Sequence, residues 1–230
     1  MKHTHQLPDV AICNQEKVGE HAVNPYMSLY RLTLQNTYAD GTRSVEYPYD
    51  AVLRKWLDAV AVIMLTQIDN RPHVLLRSSI RPPLLLRSRC PIPIPETQTV
   101  HTIWELPAGL LEESDQGEDG ILHRAKIEIL EETGYRIPVS DIRLIAGAPF
   151  VSPGVIPERL WYTVATVTDP LLREAALGDG SPVEENAVIE WVGLETALAM
   201  CEDGAIEDMK TELGIRRIAS YINREKIAME

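Results

Sequence analysis

The sequence predicts a layered α/β (α+β) protein with a mixed sheet and a small β region ahead of it, and three observations carry that expectation. A nearly unbroken apolar run occupies Ala59–Ile68, a segment with helical apolar spacing covers residues 121–133, and an alternating strand pattern covers residues 26–50. Strands and helices in this order pack as layers around one core. With 230 residues, 45% of them hydrophobic, the chain has the material for one sizeable core and a small accessory region.

Taken in order, residues 1–25 are scattered polar positions and prolines with little periodicity, a lead-in and not a domain. His3 and His5 fall in that tail. Leu29-Tyr30-Arg31-Leu32-Thr33-Leu34 then alternates in strand fashion, and Asp40-Gly41 marks a turn, so a small antiparallel element is expected. Ala59–Ile68 and residues 73–76 read as two buried strands joined through Asp69-Asn70-Arg71-Pro72, at the centre of the main sheet. Pro82, Pro83, Pro91, Pro93 and Pro95 exclude a regular central strand and leave a loop or edge excursion. The helix over 121–133 has Asp119 in position to cap it and Gly134 to end it. Strands follow near 142–148, 160–167 and 187–192, and helical patterns begin near Glu195 and Ile206. No internal repeat is visible.

The formal charge of -12 argues against a general nucleic-acid or anionic-membrane binder, because phosphate-rich surfaces reward excess Lys and Arg. Three scattered cysteines, Cys13, Cys90 and Cys201, suggest neither a disulfide framework nor a paired-cysteine metal site. Without a signal pattern or an apolar run near the roughly 18 residues of a membrane span, a cytoplasmic location is expected.

Glu128, Glu131 and Glu132 stand at i, i+3 and i+4 of the expected helix and so share one face. Carboxylates this close repel unless a cation neutralises them, and hard oxygen ligands suit Mg²⁺ or Mn²⁺. Taken alone, such a run is more often a solvated helix face. Between Asn70 and Pro95 there are five arginines, Arg71, Arg77, Arg81, Arg87 and Arg89, and no acidic residue. Of these, Arg81 and Arg77 are the candidates to face anionic phosphates, since guanidinium pairs with phosphate in a planar, two-pronged way. Arg87 and Arg89 fall in the proline-rich segment. Trp104, Phe150 and Tyr162 are candidates to stack on a base, although core packing is the ordinary role of such residues. His101 and His123 are isolated and receive no function.

The surroundings of the three glutamates resemble the Nudix box, G-x5-E-x7-R-E-U-x-E-E-x-G-U, from Gly109 through Glu128-Ile129-Leu130-Glu131-Glu132-Thr133-Gly134-Tyr135. Glu105-Leu106-Pro107-Ala108-Gly109 resembles the segment introducing the box in ADP-ribose pyrophosphatases. Ser152-Pro153-Gly154 with Glu158, Arg81 before the box, and Asp208-Met209-Lys210-Thr211 resemble their outer motifs. These matches span roughly residues 59–215.

The resemblance implies a Nudix α/β/α sandwich over residues 58–230, with residues 1–57 forming a tail and a β region that dimerises. It implies cleavage of the pyrophosphate of ADP-ribose or a related nucleoside diphosphate sugar. The implied metal ligands are Glu128, Glu132 and the Ala108 carbonyl, with Glu131 sharing a metal or contacting metal-bound water. Glu105 is implied at the substrate, and Glu184 or Glu185, in Ser181-Pro182-Val183-Glu184-Glu185-Asn186, as the base. Two alternatives stay open: a UDP- or GDP-sugar substrate, and a catalytically weakened ligand-binding sensor.

The sequence leaves the family pattern in two places. About four extra residues separate Gly109 from the helix, so Glu118 or Asp119 is the expected first acid of the box. Ile127 stands where the box has its arginine, which in the family supports the neighbouring carboxylates. Arg124, four residues before Glu128, lies between Glu128 and Glu131 on the helical wheel and is placed to supply that charge.

Overall fold

The structure is a computed structural model that describes residues 9–18, 26–95, 102–145, 147–176, 178, 180 and 187–227. Its strands are β1 (Asp9–Val18), β2 (Met27–Thr37), β3 (Tyr47–Arg54), β4 (Ala59–Ile68), β5 (Arg71–Ile80), β6 (Thr102–Glu105), β7 (Ala108–Leu110), β8 (Ile142–Ile145), β9 (Phe150–Ser152), β10 (Ile156–Thr166) and β11 (Val188–Gly193). Its helices are α1 (Gly117–Thr133), α2 (Leu194–Glu202) and α3 (Met209–Ile227). The chain divides into two compact units, Met1–Leu57 with Phe150–Arg159, and Asp58–Pro149 with Leu160–Glu230.

In the first unit β1, β2 and β3 form an antiparallel sheet in that order. The β2–β3 connection turns at Gly41, whose φ of 82° is the left-handed conformation glycine adopts without strain. β1 was not expected. Its sequence lacks clean alternation and its ladder carries an irregularity between Ile12 and Asn14, so pairing with β2 specifies this strand more than its own pattern does. In the same unit Arg54 and Glu158 make a half-buried ion pair of 2.6 Å, and Tyr49 donates to the Gly154 carbonyl at 2.9 Å.

The second unit is built on the sheet β11-β5-β4-β10-β8, with β6 added to β5 and β7 to β4. β10 runs parallel to β4 and its other neighbours are antiparallel, so the sheet is mixed. The apolar run of β4 is central because both its faces are covered. Val60, Val62 and Met64 share a core with Ile121, Ala125 and Ile129 of α1. Alternation sends Ala61 and Ile63 to the opposite face, where α3 packs with Ile215 and Ile218 fully buried. The β4–β5 hairpin turns on Asp69 and Asn70, both at positive φ (51° and 59°), as a tight two-residue turn of Asx residues requires. The proline-rich stretch forms mostly exposed 3₁₀ turns over Pro82–Arg89. Among the described residues, no helix is long and apolar enough to cross a membrane.

α1 starts earlier than its apolar spacing indicates. Gln116 occupies the capping position instead of Asp119, while Glu118 and Asp119 lie in the first turn, where the helix dipole favours negative charge. The end is as expected: Gly134 has φ 78° and its N–H donates to the Leu130 carbonyl at 3.0 Å. A Cβ at this position would also lie 2.1 Å from the Glu174 carbonyl oxygen, whose own N–H donates to the Gly134 carbonyl. Gly134→Ala is expected to cost about 1–3 kcal/mol from backbone strain, before the clash is counted. Urea unfolding measures it; an unchanged midpoint would show that the helix end yields freely.

Candidate active site

The last turn of α1 carries Glu131 and Glu132 and no basic residue, although a helix C-terminus disfavours negative charge. The sheet supplies the compensation. The Glu132 carboxylate, 6% exposed, accepts from Arg77 Nη1 at 2.8 Å and from the Ala108 backbone N–H at 2.9 Å. Arg77 lies on β5 and is itself only 4% exposed. Arg77, expected among the groups that face a substrate, has a buried guanidinium that holds a carboxylate. A buried charge left without its partner is costly, so the pair fixes α1 against β5 and the start of β7.

Arg77 stands opposite Glu105 in the β5–β6 ladder. Glu105, 3% exposed, accepts from Arg81 Nε at 2.6 Å and from Lys210 Nζ. Glu105, expected at the substrate, thus has a cation on each carboxylate oxygen and supports Arg81. Arg81 keeps 42% of its side chain exposed, with its terminal nitrogens beyond the Nε–Glu105 bond. Burial alone would lower the Arg81 guanidinium pKa, but Glu105, then Glu132 and Asp208, hold it above its ordinary value.

The Asp208-Met209-Lys210-Thr211 segment explains how the Glu105 turn is held. The Asp208 carboxylate accepts from the Thr211 N–H at 3.0 Å and from Lys210 Nζ at 2.8 Å, capping the start of α3. The Thr211 hydroxyl accepts from the Leu106 N–H at 2.8 Å and donates to Asp208 at 2.6 Å. Lys210 had no assigned role in the sequence; the Asp-x-Lys-Thr spacing was its signal. Tyr162 is fully buried and donates to the Lys210 carbonyl at 2.8 Å, which leaves it a core residue and not a base-stacking one.

Glu128 lies one turn before Glu132, against the backbone of Gly109. A Cβ at residue 109 would sit 1.9 Å from the Glu128 carboxylate carbon, so the carboxylate in this position occupies the space that a side chain at 109 would need. Arg124 approaches the same carboxylate at 3.9 Å and pairs with Asp115 at 2.8 Å and Glu112 at 3.1 Å. Glu118 and Asp119, expected as the first acid of the box, are exposed, whereas the Asp115 side chain is 4% exposed. Glu131 is half-buried, and its carbonyl accepts from the Gly178 N–H at 2.9 Å. Glu184 and Glu185 lie outside the described residues.

Among the described residues, no three His, Cys, Asp or Glu side chains converge closely enough to enclose an ion. The donor chemistry nevertheless fits a hard divalent cation: Glu128, Glu131 and Glu132 offer oxygens from one helix, and Gly109 makes a cradle that any side chain would fill.

No family model matches the chain. A curated relative, an uncharacterized Nudix hydrolase of Schizosaccharomyces pombe, is 34% identical over 85 residues, or 37% of this chain. The match spans only about a third (32%) of that relative's length. A solved structure described as an ADP compounds hydrolase superposes with a TM-score of 0.67 at 15% identity, covering 97% of this chain and 98% of its own. The chain is therefore Nudix-like in sequence over that segment and shares the fold of an ADP compounds hydrolase along its length.

The Arg77–Glu132 pair makes a stability prediction. Arg77→Met strands a buried carboxylate and is expected to cost about 3–5 kcal/mol, whereas Arg77→Met with Glu132→Met recovers most of it. Urea unfolding of both variants is the check; equal stability of Arg77→Met and the unaltered chain would mean that the pair holds nothing.

Proposed function

We propose that the chain is a divalent-metal-dependent pyrophosphohydrolase that cleaves ADP-ribose or a related nucleoside diphosphate sugar into a nucleoside monophosphate and a sugar phosphate. The observation that carries this reading is the joining of the α1 carboxylates to the Glu105–Gly109 turn, beside Arg81, whose side chain is 42% exposed. The described likeness to an ADP compounds hydrolase supports an adenine nucleotide as the first substrate to test.

Glu128, Glu131 and Glu132, with the Ala108 carbonyl, are the residues to hold Mg²⁺ or Mn²⁺. Such an ion, when bound, screens the pyrophosphate oxygens and acidifies a coordinated water. Arg81 pairs with a phosphate through its terminal nitrogens, and Glu105 fixes its direction. Glu184 or Glu185 accepts the proton of the attacking water as a phosphorus–oxygen bond of the pyrophosphate breaks. Two stems support that choice of loop: the Gly178 N–H is bonded to the Glu131 carbonyl, and Val188 of β11 pairs with Ser78, next to Arg77. The three cysteines, Cys13, Cys90 and Cys201, widely separated in sequence, support a reducing compartment such as the cytoplasm. Residues 26–57, which include β2 and β3, are the proposed contact in a homodimer.

The purified chain with Mg²⁺ is expected to release AMP from ADP-ribose, and Glu128→Gln to lower turnover by roughly 10²–10³-fold with the fold retained. A panel including UDP- and GDP-sugars distinguishes the related substrates by the monophosphate released. Near-normal turnover of Glu128→Gln at saturating Mg²⁺ removes it from the metal site.

Light scattering at micromolar concentration is expected to give about twice the 25.8 kDa chain mass. A fully active monomer would overturn the proposed dimer.

A further inference from the structure

We infer that an Asp115–Arg124 ion pair replaces the arginine lost at Ile127, and that Arg124 is a positioning residue for the Glu128 carboxylate. The inference rests on the metal-dependent reading of the site. Its basis is geometry specific to this chain. Counting from Gly109, five residues intervene before Asp115 and eight more before Arg124, whereas the box spaces its first acid and its arginine by five and seven. The chain thus keeps an acid at the first spacing. Its arginine sits three residues before the usual place, almost one helical turn earlier.

The added loop residues make that displacement workable. Within the loop, the Glu112 N–H donates to Asp115 Oδ2 at 2.8 Å, and the Asp115 N–H donates to the Glu112 carbonyl at 3.0 Å. Gly120 lets this turn lie directly on α1, because a Cβ there would be 2.3 Å from the Asp115 carbonyl carbon. Asp115 then reaches back to Arg124 Nε at 2.8 Å, with the two side chains 4% and 12% exposed. Of the guanidinium's other nitrogens, Nη2 faces Glu112 at 3.1 Å and Nη1 faces Glu128 at 3.9 Å.

The Glu128 carboxylate is consequently confined from two sides, by the Gly109 backbone and by a cation that Asp115 and Glu112 hold in place. Ile127 is half-buried. Asp115 keeps the family's spacing from Gly109 and the extra residues follow it, so the acid meets the helix where Arg124, and not residue 127, stands.

The test is Mn²⁺ binding to the purified full chain, read by electron paramagnetic resonance and calorimetry, with AMP release measured alongside. Arg124→Ala is expected to weaken Mn²⁺ binding at least tenfold and to lower kcat more than it changes KM. Adding Ile127→Arg to that variant is expected to recover much of the affinity. Asp115→Asn, which keeps the volume of the side chain, is expected to weaken Mn²⁺ several-fold in the natural sequence and to be neutral in the Arg124→Ala, Ile127→Arg background, a non-additivity that separates positioning from a general loss of structure. Thermal melting without metal establishes that each variant is folded; if Arg124→Ala is not, Asp115→Asn decides. Mn²⁺ affinity within twofold of the unaltered chain, in folded Arg124→Ala or, failing that, in Asp115→Asn, overturns the inference alone. Failure of the unaltered chain to bind Mn²⁺ removes the metal-dependent reading and the inference with it.

Discussion

The buried carboxylate of Glu132 is the constraint on which the arrangement of the site depends. It lies at the negative end of a helix and is 6% exposed, where an unpaired charge is untenable. Arg77 from β5 bonds one of its oxygens and the Ala108 N–H at the start of β7 the other, so the carboxylate is held only when helix, strand and turn are assembled together. Burial enforces the geometry here: the same glutamate on a solvated helix face would place nothing.

Glu105 repeats the device one ladder position away. Paired in register with Arg77, it carries Arg81 on one oxygen and Lys210 on the other. Arg81 emerges with its charge maintained and one edge fixed, a preorganised guanidinium that loses little freedom on meeting an anion. Thr211 holds the next backbone N–H, at Leu106, and Asp208 holds Thr211. The start of α3 thereby fixes the turn that leads into the α1 carboxylates. Arg77 and Glu105, both expected at the substrate, each bond another charged side chain of the site, and residue type alone does not distinguish a group that contacts a ligand from one that holds such a group.

The first unit shows the other limit of a sequence reading. The alternation of β2 and the Asp40-Gly41 turn were plain, since each is a local property of a few residues. β1 was not, because an irregular, partly polar strand becomes a strand by pairing with an edge already present. The early start of α1 is a similar case: the loop docked at Gly120 sets where the helix begins, and the apolar spacing registers only the part that faces the core.

By itself the sequence determined the α/β layering, the central hairpin, the helix ending at Gly134 and the common face of Glu128, Glu131 and Glu132. All of these follow from periodicities and turn preferences that operate over a few residues. Tertiary structure alone decided that Glu132 is held by a residue 55 positions away and Glu105 by one 105 positions away. It also decided that Asp115, and neither Glu118 nor Asp119, answers Arg124. Such pairings are set by strand register and by the burial that removes competing water, and neither is encoded in the spacing of neighbouring residues.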